Sequence, residues 1–217
     1  MAPQLVPPSE GTAAEVRTAP TPVMKDKQLV VEGRSAYYFF IALLKRMRKT
    51  DVQVRDFGGV DDLPGYLETL TRMSGFAQVI ALGIVRDAEQ DAGSAFQSVS
   101  DSLKRLDLPA PSAPEQFTES RLKVGVLILP DGKSPEMLED LCLSSVSDDA
   151  AIPCVDQYLD CLRSVRSLPR NLSKGRIQAF LASRPKAGLL LGEAASNEYW
   201  PWDHPAFDHV KRFLQAM

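Results

Sequence analysis

The chain has 217 residues, 44% of them hydrophobic and 24% charged, with a formal net charge of −3. That balance predicts a soluble globular domain long enough to bury a core, and it excludes an overall basic coat for nucleic acid while leaving room for a local basic face. No apolar run reaches about 18 residues and no basic-then-apolar leader opens the chain, so neither a membrane span nor a secretory signal is expected and the cytoplasm is the expected compartment.

Residues 1–26 carry Pro3, Pro7, Pro8, Pro20 and Pro22 among Ala, Ser, Thr and Glu. Such a stretch buries too little apolar surface to order itself and reads as a flexible tail ahead of one domain over 27–217. Gln28–Val31 reads as a strand and Tyr37–Lys49 as a helix with Phe40, Leu43, Leu44 and Met47 on its apolar face and Ser35 as its cap. Val52–Arg55 is a second short strand, and Asp61 and Asp62 open a helix to Met73 with Pro64 in its first turn. A third strand over 78–86 leads to a helix over 90–106, an exposed Pro-rich loop over 108–120, and a fourth strand over 123–129. Helices are expected over 135–143, 153–165, 173–183 and 205–214. Short β-branched runs alternating with helices predict an α/β fold with a central, mostly parallel sheet and a helical C-terminal part.

Acid stands at the ends of the apolar runs. Val31 is followed by Glu32-Gly33, Val85 by Arg86-Asp87-Ala88-Glu89 with Asp91 close behind, and Leu129 by Pro130-Asp131-Gly132. Ligands of open α/β sheets gather outside the carboxyl ends of the strands, and carboxylate oxygens are natural Mg²⁺ ligands. Each acid alone reads equally well as a cap for the helix that follows it. Asp56 before Gly58-Gly59 and Asp131 before Gly132 read first as turn formers.

Glu-Gly after the first strand, an acid-Gly-Gly turn after the second and an Asp-x-acid turn after the third together resemble the Toprim fold of topoisomerases, bacterial primases and overcoming-lysogenization-defect (OLD) nucleases. Met137–Leu143, Lys174–Arg184, Gly192-Glu193-Ala194 and Trp200-Pro201-Trp202 resemble the OLD-related branch of that family. The resemblance runs from Gln28 to the C-terminus. It implies a Toprim-like sheet, a Mg²⁺ or Mn²⁺ cofactor and phosphodiester chemistry. By position it makes Glu32 a general acid/base or metal ligand, Asp87, Glu89 and Glu139 metal ligands, and Lys174 a basic residue for transition-state charge. Asp56 and Asp91 are candidates for support behind those ligands. Two positions depart from the pattern: Ala36 stands where OLD-like enzymes usually carry another acid, and Glu89 replaces an Asp.

Between Cys161 and Gly192 there is no acid, while Arg163, Arg166, Arg170, Lys174, Arg176, Arg184 and Lys186 accumulate. That stretch is the candidate phosphate-backbone surface; solvated helix faces or a protein-binding face are its alternatives. Trp200, Trp202 and Phe207 are expected to pack the last helix onto the body rather than stack bases. The three cysteines, Cys142, Cys154 and Cys161, read as reduced thiols filling the core. Two histidines and no Cys-x-x-Cys speak against structural zinc. No Gly-x-x-x-x-Gly-Lys-Ser/Thr is present, so an ATP-driven machine would need a separate ATPase partner. The leading expectation is a Mg²⁺-dependent nuclease acting on DNA or RNA, with a role in defence against mobile DNA and oligomerisation open. The second is a catalytically weak Toprim module binding a protein or nucleic acid. A third is phosphate-ester hydrolysis of a small molecule.

Overall fold

The computed structural model describes residues 21–217. Strands β1 (Lys27–Val31), β2 (Val52–Asp56), β3 (Ala81–Asp87) and β4 (Lys123–Leu129) form one sheet in the order β2-β1-β3-β4, and every pairing is parallel. Around it lie α1 (Gly33–Arg46), α2 (Leu63–Arg72), α3 (Ala92–Arg105), α4 (Leu138–Ser145), α5 (Ile152–Ser164), α6 (Leu172–Ala182), α7 (Leu191–Ser196) and α8 (Asp208–Ala216). The α/β expectation stands: a parallel sheet flanked by helices with a helical C-terminal part, the layout that a Toprim-like fold requires.

The central strands are apolar along their whole length because both faces are covered. Leu29, Val31, Val85 and Leu127 join a core with α1 and the C-terminal helices, whereas Val30, Leu82, Ile84 and Val126 join a second core with α2 and α3. From β1 the chain moves to one side to form β2 and then crosses back to form β3 on the other. The resulting crevice lies between the carboxyl ends of β1 and β3, where open α/β sheets take their ligands. Gly33 turns the chain out of β1 at φ +79, a conformation that a side chain would strain even though the space beside it is open. At Gly192, α7 lies so near α1 that a Cβ would stand 2.7 Å from the Ser35 carbonyl oxygen.

Several local expectations shift. Residues 1–20 of the expected tail lie outside the described residues. Residues 21–26 lack regular structure but are held: Arg55 donates to the carbonyls of Thr21 (2.7 Å) and Pro22 (2.9 Å), and the Met24 amide donates to Gln53 (2.8 Å). Helix α1 begins at Gly33, which places Ser35 inside it rather than at its cap. Residues 76–78 form a 3-10 turn after the left-handed Gly75, so β3 starts later than its apolar run. The Pro-rich segment is not an exposed loop throughout. Its Pro111 is buried, and Phe117 packs 4.9 Å from Phe213, beside β4. There the Glu115 and Thr118 amides donate to Val126 and Val124 and cover that sheet edge. Helix α7 has no counterpart in the sequence reading, because six residues are too few for a 3.6-residue period to show. Cys142 fills the core as expected, but Cys154 and Cys161 are exposed on α5. Trp200, Trp202 and Phe207 pack the C-terminal segment onto the body. No helix among the described residues is long and apolar enough to cross a membrane.

Candidate acid site at the carboxyl edge of the sheet

Glu32 follows β1 at the N-cap position of α1, yet its side chain makes no cap bond. It is half-buried; burial raises its pKa most, Arg86 opposes that rise, and Glu89 adds to it. Its Oε2 is buried without a hydrogen-bond partner among the described residues and stands 3.8 Å from Arg86 Nε.

Asp87 ends β3 and reaches forward rather than capping α3. Its Oδ1 accepts the Leu138 amide at 2.9 Å and so closes the first turn of α4. Burial, then the charges of Glu32 and Glu139, push its pKa up to about 8, against the pull of the Leu138 amide and Lys174. The turn that carries it is fixed by the Ala88 amide donating to Leu129 and the Glu89 amide to Glu136. Glu139 projects from the first turn of α4. Burial raises its pKa most, and Lys174 counters the rise.

Helix α6 brings Lys174 to the same place. Asn171 caps it by accepting the Lys174 amide at 2.9 Å. Asp140 locks α6 to α4, its Oδ2 accepting the Met137 amide at 3.0 Å and its Oδ1 the Ser173 hydroxyl at 2.6 Å. Thus Glu139 faces the acids while its neighbour Asp140 acts as a strut, a role that pattern reasoning missed because Ser173 lies 33 residues away. Ser173→Ala is expected to cost about 1–2 kcal/mol, since a hydrogen bond to a charged group is lost. Thermal melting against wild type measures it.

The structure therefore gathers Glu32, Glu139 and Lys174 around Asp87, which feels the charge of each; Lys174 also acts on Glu32 and on Glu139, and exposed Glu89 acts on Glu32 from the rim. It does not bring in Asp56, which accepts the Gly58 amide at 2.8 Å as a turn former, nor Asp91, which caps α3 by accepting the Ser94 amide at 2.6 Å. In the basic stretch, Arg176 is taken up by Asp156 at 2.8 and 3.0 Å and Arg163 by Asp160. Those acids precede Cys161, so the acid-free window concealed the pairing. Among the described residues no ion pair holds Arg166 or Arg170, both exposed. Arg86 is the buried charge at this edge of the sheet that sequence reasoning passed over. Its signal was present: a charge at an inward-facing position of an apolar strand, 7% exposed.

Among the described residues no three His, Cys, Asp or Glu side chains are grouped closely enough to hold a metal ion as placed. The donor set nonetheless suits Mg²⁺, which keeps several waters and binds through one or two carboxylates. The crowded Asp87 gives such a cation something to neutralise.

Fold and crevice define an α/β protein with an acid-lined site at the switch point of a parallel sheet. Residues 26–217 match the family of proteins of unknown function DUF3226, and the chain belongs to it. No curated protein matches. Among solved structures, the C-terminal region of the OLD protein of Xanthomonas campestris pv. campestris is similar at 10% identity and a TM-score of 0.39, over 90% of this chain and 87% of that one.

Proposed function

We propose that the crevice is a Mg²⁺ or Mn²⁺ site serving phosphodiester hydrolysis of nucleic acid. The observation that carries this reading is Asp87: a carboxyl beside two further acids at a strand end, which only a proton or a cation can neutralise. Asp87 and Glu139 would hold the cation, with Glu89 able to reach in from its exposed position. When bound, the metal supplies charge neutralisation on the phosphoryl group and a polarised water.

The chain's own groups divide the remaining work. Glu32, with a raised pKa, is suited to accept or return a proton at a carboxyl oxygen. Lys174 places a cation at the rim, where phosphate charge develops. Arg166 and Arg170, whose charges no ion pair among the described residues takes up, are the basic residues best able to meet a phosphate backbone. The three paired arginines, Arg163, Arg176 and Arg184, mainly fasten α5 and α6 and the segments beside them. A separate ATPase partner and a defence role remain part of this proposal.

Calorimetry with Mn²⁺ tests it. At pH 7 the cation must displace the proton on Asp87, so binding should release about one proton per metal, read as a dependence of the heat on buffer ionisation enthalpy. Asp87→Asn and Glu139→Gln should abolish or weaken binding. The absence of heat with folded wild type would favour the second reading, a binding module without catalysis. A specific observation supports that reading too: Ala36 is buried in the α1 core, where the OLD-like pattern has an acid.

A further inference from the structure

Arg86 is the penultimate residue of β3, and its Nε and Nη1 are buried and without hydrogen-bond partners among the described residues, opposite a Glu32 oxygen in the same condition 3.8 Å away. Each is an expensive group to bury unsatisfied. The register explains why they meet: Val31 pairs with Val85, so Glu32, the first residue past β1, lies beside Arg86 of β3. Strand alternation sends both toward the α2 and α3 face, since Val30 and Ile84 belong to that core. Asp87 takes the opposite face, that of Val31 and Val85, toward α4 and α6. The site thus has two halves, one with the buried cation Arg86 and one with only the exposed Lys174.

We propose that Arg86 is a positioning residue that serves as a permanent counter-charge to Glu32, reserving Glu32 from the metal and leaving Asp87 and Glu139 as the oxygens open to a cation. The guanidinium is rigidly charged and planar, so a small closure of the 3.8 Å gap forms a charge-assisted hydrogen bond. Nothing comparable stands beside Asp87, whose countervailing contacts are a helix amide and the exposed Lys174. The assignment of the two halves to metal and to Glu32 rests on the metal reading above; the pairing itself does not.

A double-mutant cycle on the metal-free protein tests the pairing. Arg86→Met leaves the Glu32 charge buried alone and is expected to lower the melting temperature by about 5–10 °C. Adding Glu32→Gln should recover most of that loss, and Arg86→Lys should retain more stability than Arg86→Met. Equal damage from Arg86→Met with either Glu or Gln at position 32 would overturn the proposal, because a merely space-filling arginine behaves that way. If Arg86→Met alone does not fold, a folded double variant reports the same rescue, and an unfolded double variant overturns the pairing. Mn²⁺ titration tests the second half. Release of Glu32 in Arg86→Met should tighten Mn²⁺ binding roughly tenfold, a gain of the size one added buried charge interaction gives, and that gain should vanish in the double variant. Unchanged affinity overturns the reservation of Glu32. A wild type that binds no Mn²⁺ while the thermal cycle still shows coupling overturns the reservation and the metal reading and keeps the pairing.

Discussion

Asp87→Asn should raise the melting temperature of the metal-free protein at pH 9 by about 5–10 °C and change it little at pH 4. In the folded chain the Asp87 carboxyl holds its proton up to about pH 8, against an ordinary value of 3.8. Between those limits the folded state binds a proton that the unfolded chain has released, so stability falls as pH rises through that window. Above it the native state carries an ionised carboxylate crowded by Glu32 and Glu139. Asparagine removes the charge and keeps an oxygen for the Leu138 amide, so the α4 cap survives. The relief is of order 2–4 kcal/mol once mutual adjustment of the neighbouring acids is allowed for. Melting curves of both proteins at unit pH steps in chelator measure it. A constant offset across pH would mean that Asp87 is not crowded as described. Mn²⁺ should close the gap by stabilising wild type alone.

Trp200→Ala should cost about 3–5 kcal/mol, a fall of roughly 8–15 °C in melting temperature. Trp200 is 1% exposed, its ring stacks 6.1 Å from Phe180 of α6, and its Nε1 donates to the Leu191 carbonyl of α7 at 3.2 Å. Truncation removes a large apolar group and the indole's hydrogen bond to the first carbonyl of α7. Trp200→Phe keeps most of the ring contact and loses only the hydrogen bond, so it should cost about 1–2 kcal/mol. Because Phe180 shares α6 with Lys174, amide exchange in α6 should accelerate in the alanine variant more than in β1 or β3. Equal protection in α6 would separate this aromatic contact from the positioning of Lys174.

Much of the sheet was legible because burial on two faces writes a simple code. Leu29-Val30-Val31 and Val124 to Leu129 have no polar alternation, and they became strands within a residue of the expected ends. Glu32 and Asp87 could be named because acids at strand ends sit at positions that local geometry fixes, whereas Glu139 was named only through the family resemblance. What the linear pattern concealed depends on distant partners. Asp91 and Asp87 look alike in sequence, yet one caps the helix beside it and the other a helix 51 residues on. The arginines looked free because their acids lie upstream in α5 or before it. Arg86 escaped attention because its meaning arises only when β1 and β3 lie in register.

The grip of Arg55 on Thr21 and Pro22 bears on how the protein is best handled as a reagent. The family match begins at residue 26, so a gene trimmed to that similarity would delete both carbonyls that satisfy this 5% exposed guanidinium. Gln28 would then remain as its chief internal acceptor, and the outer edge of β2 would lose its tether. Recombinant material intended for crystals or titrations should retain Thr21 and Pro22, because the reach of this one side chain extends upstream of the family match.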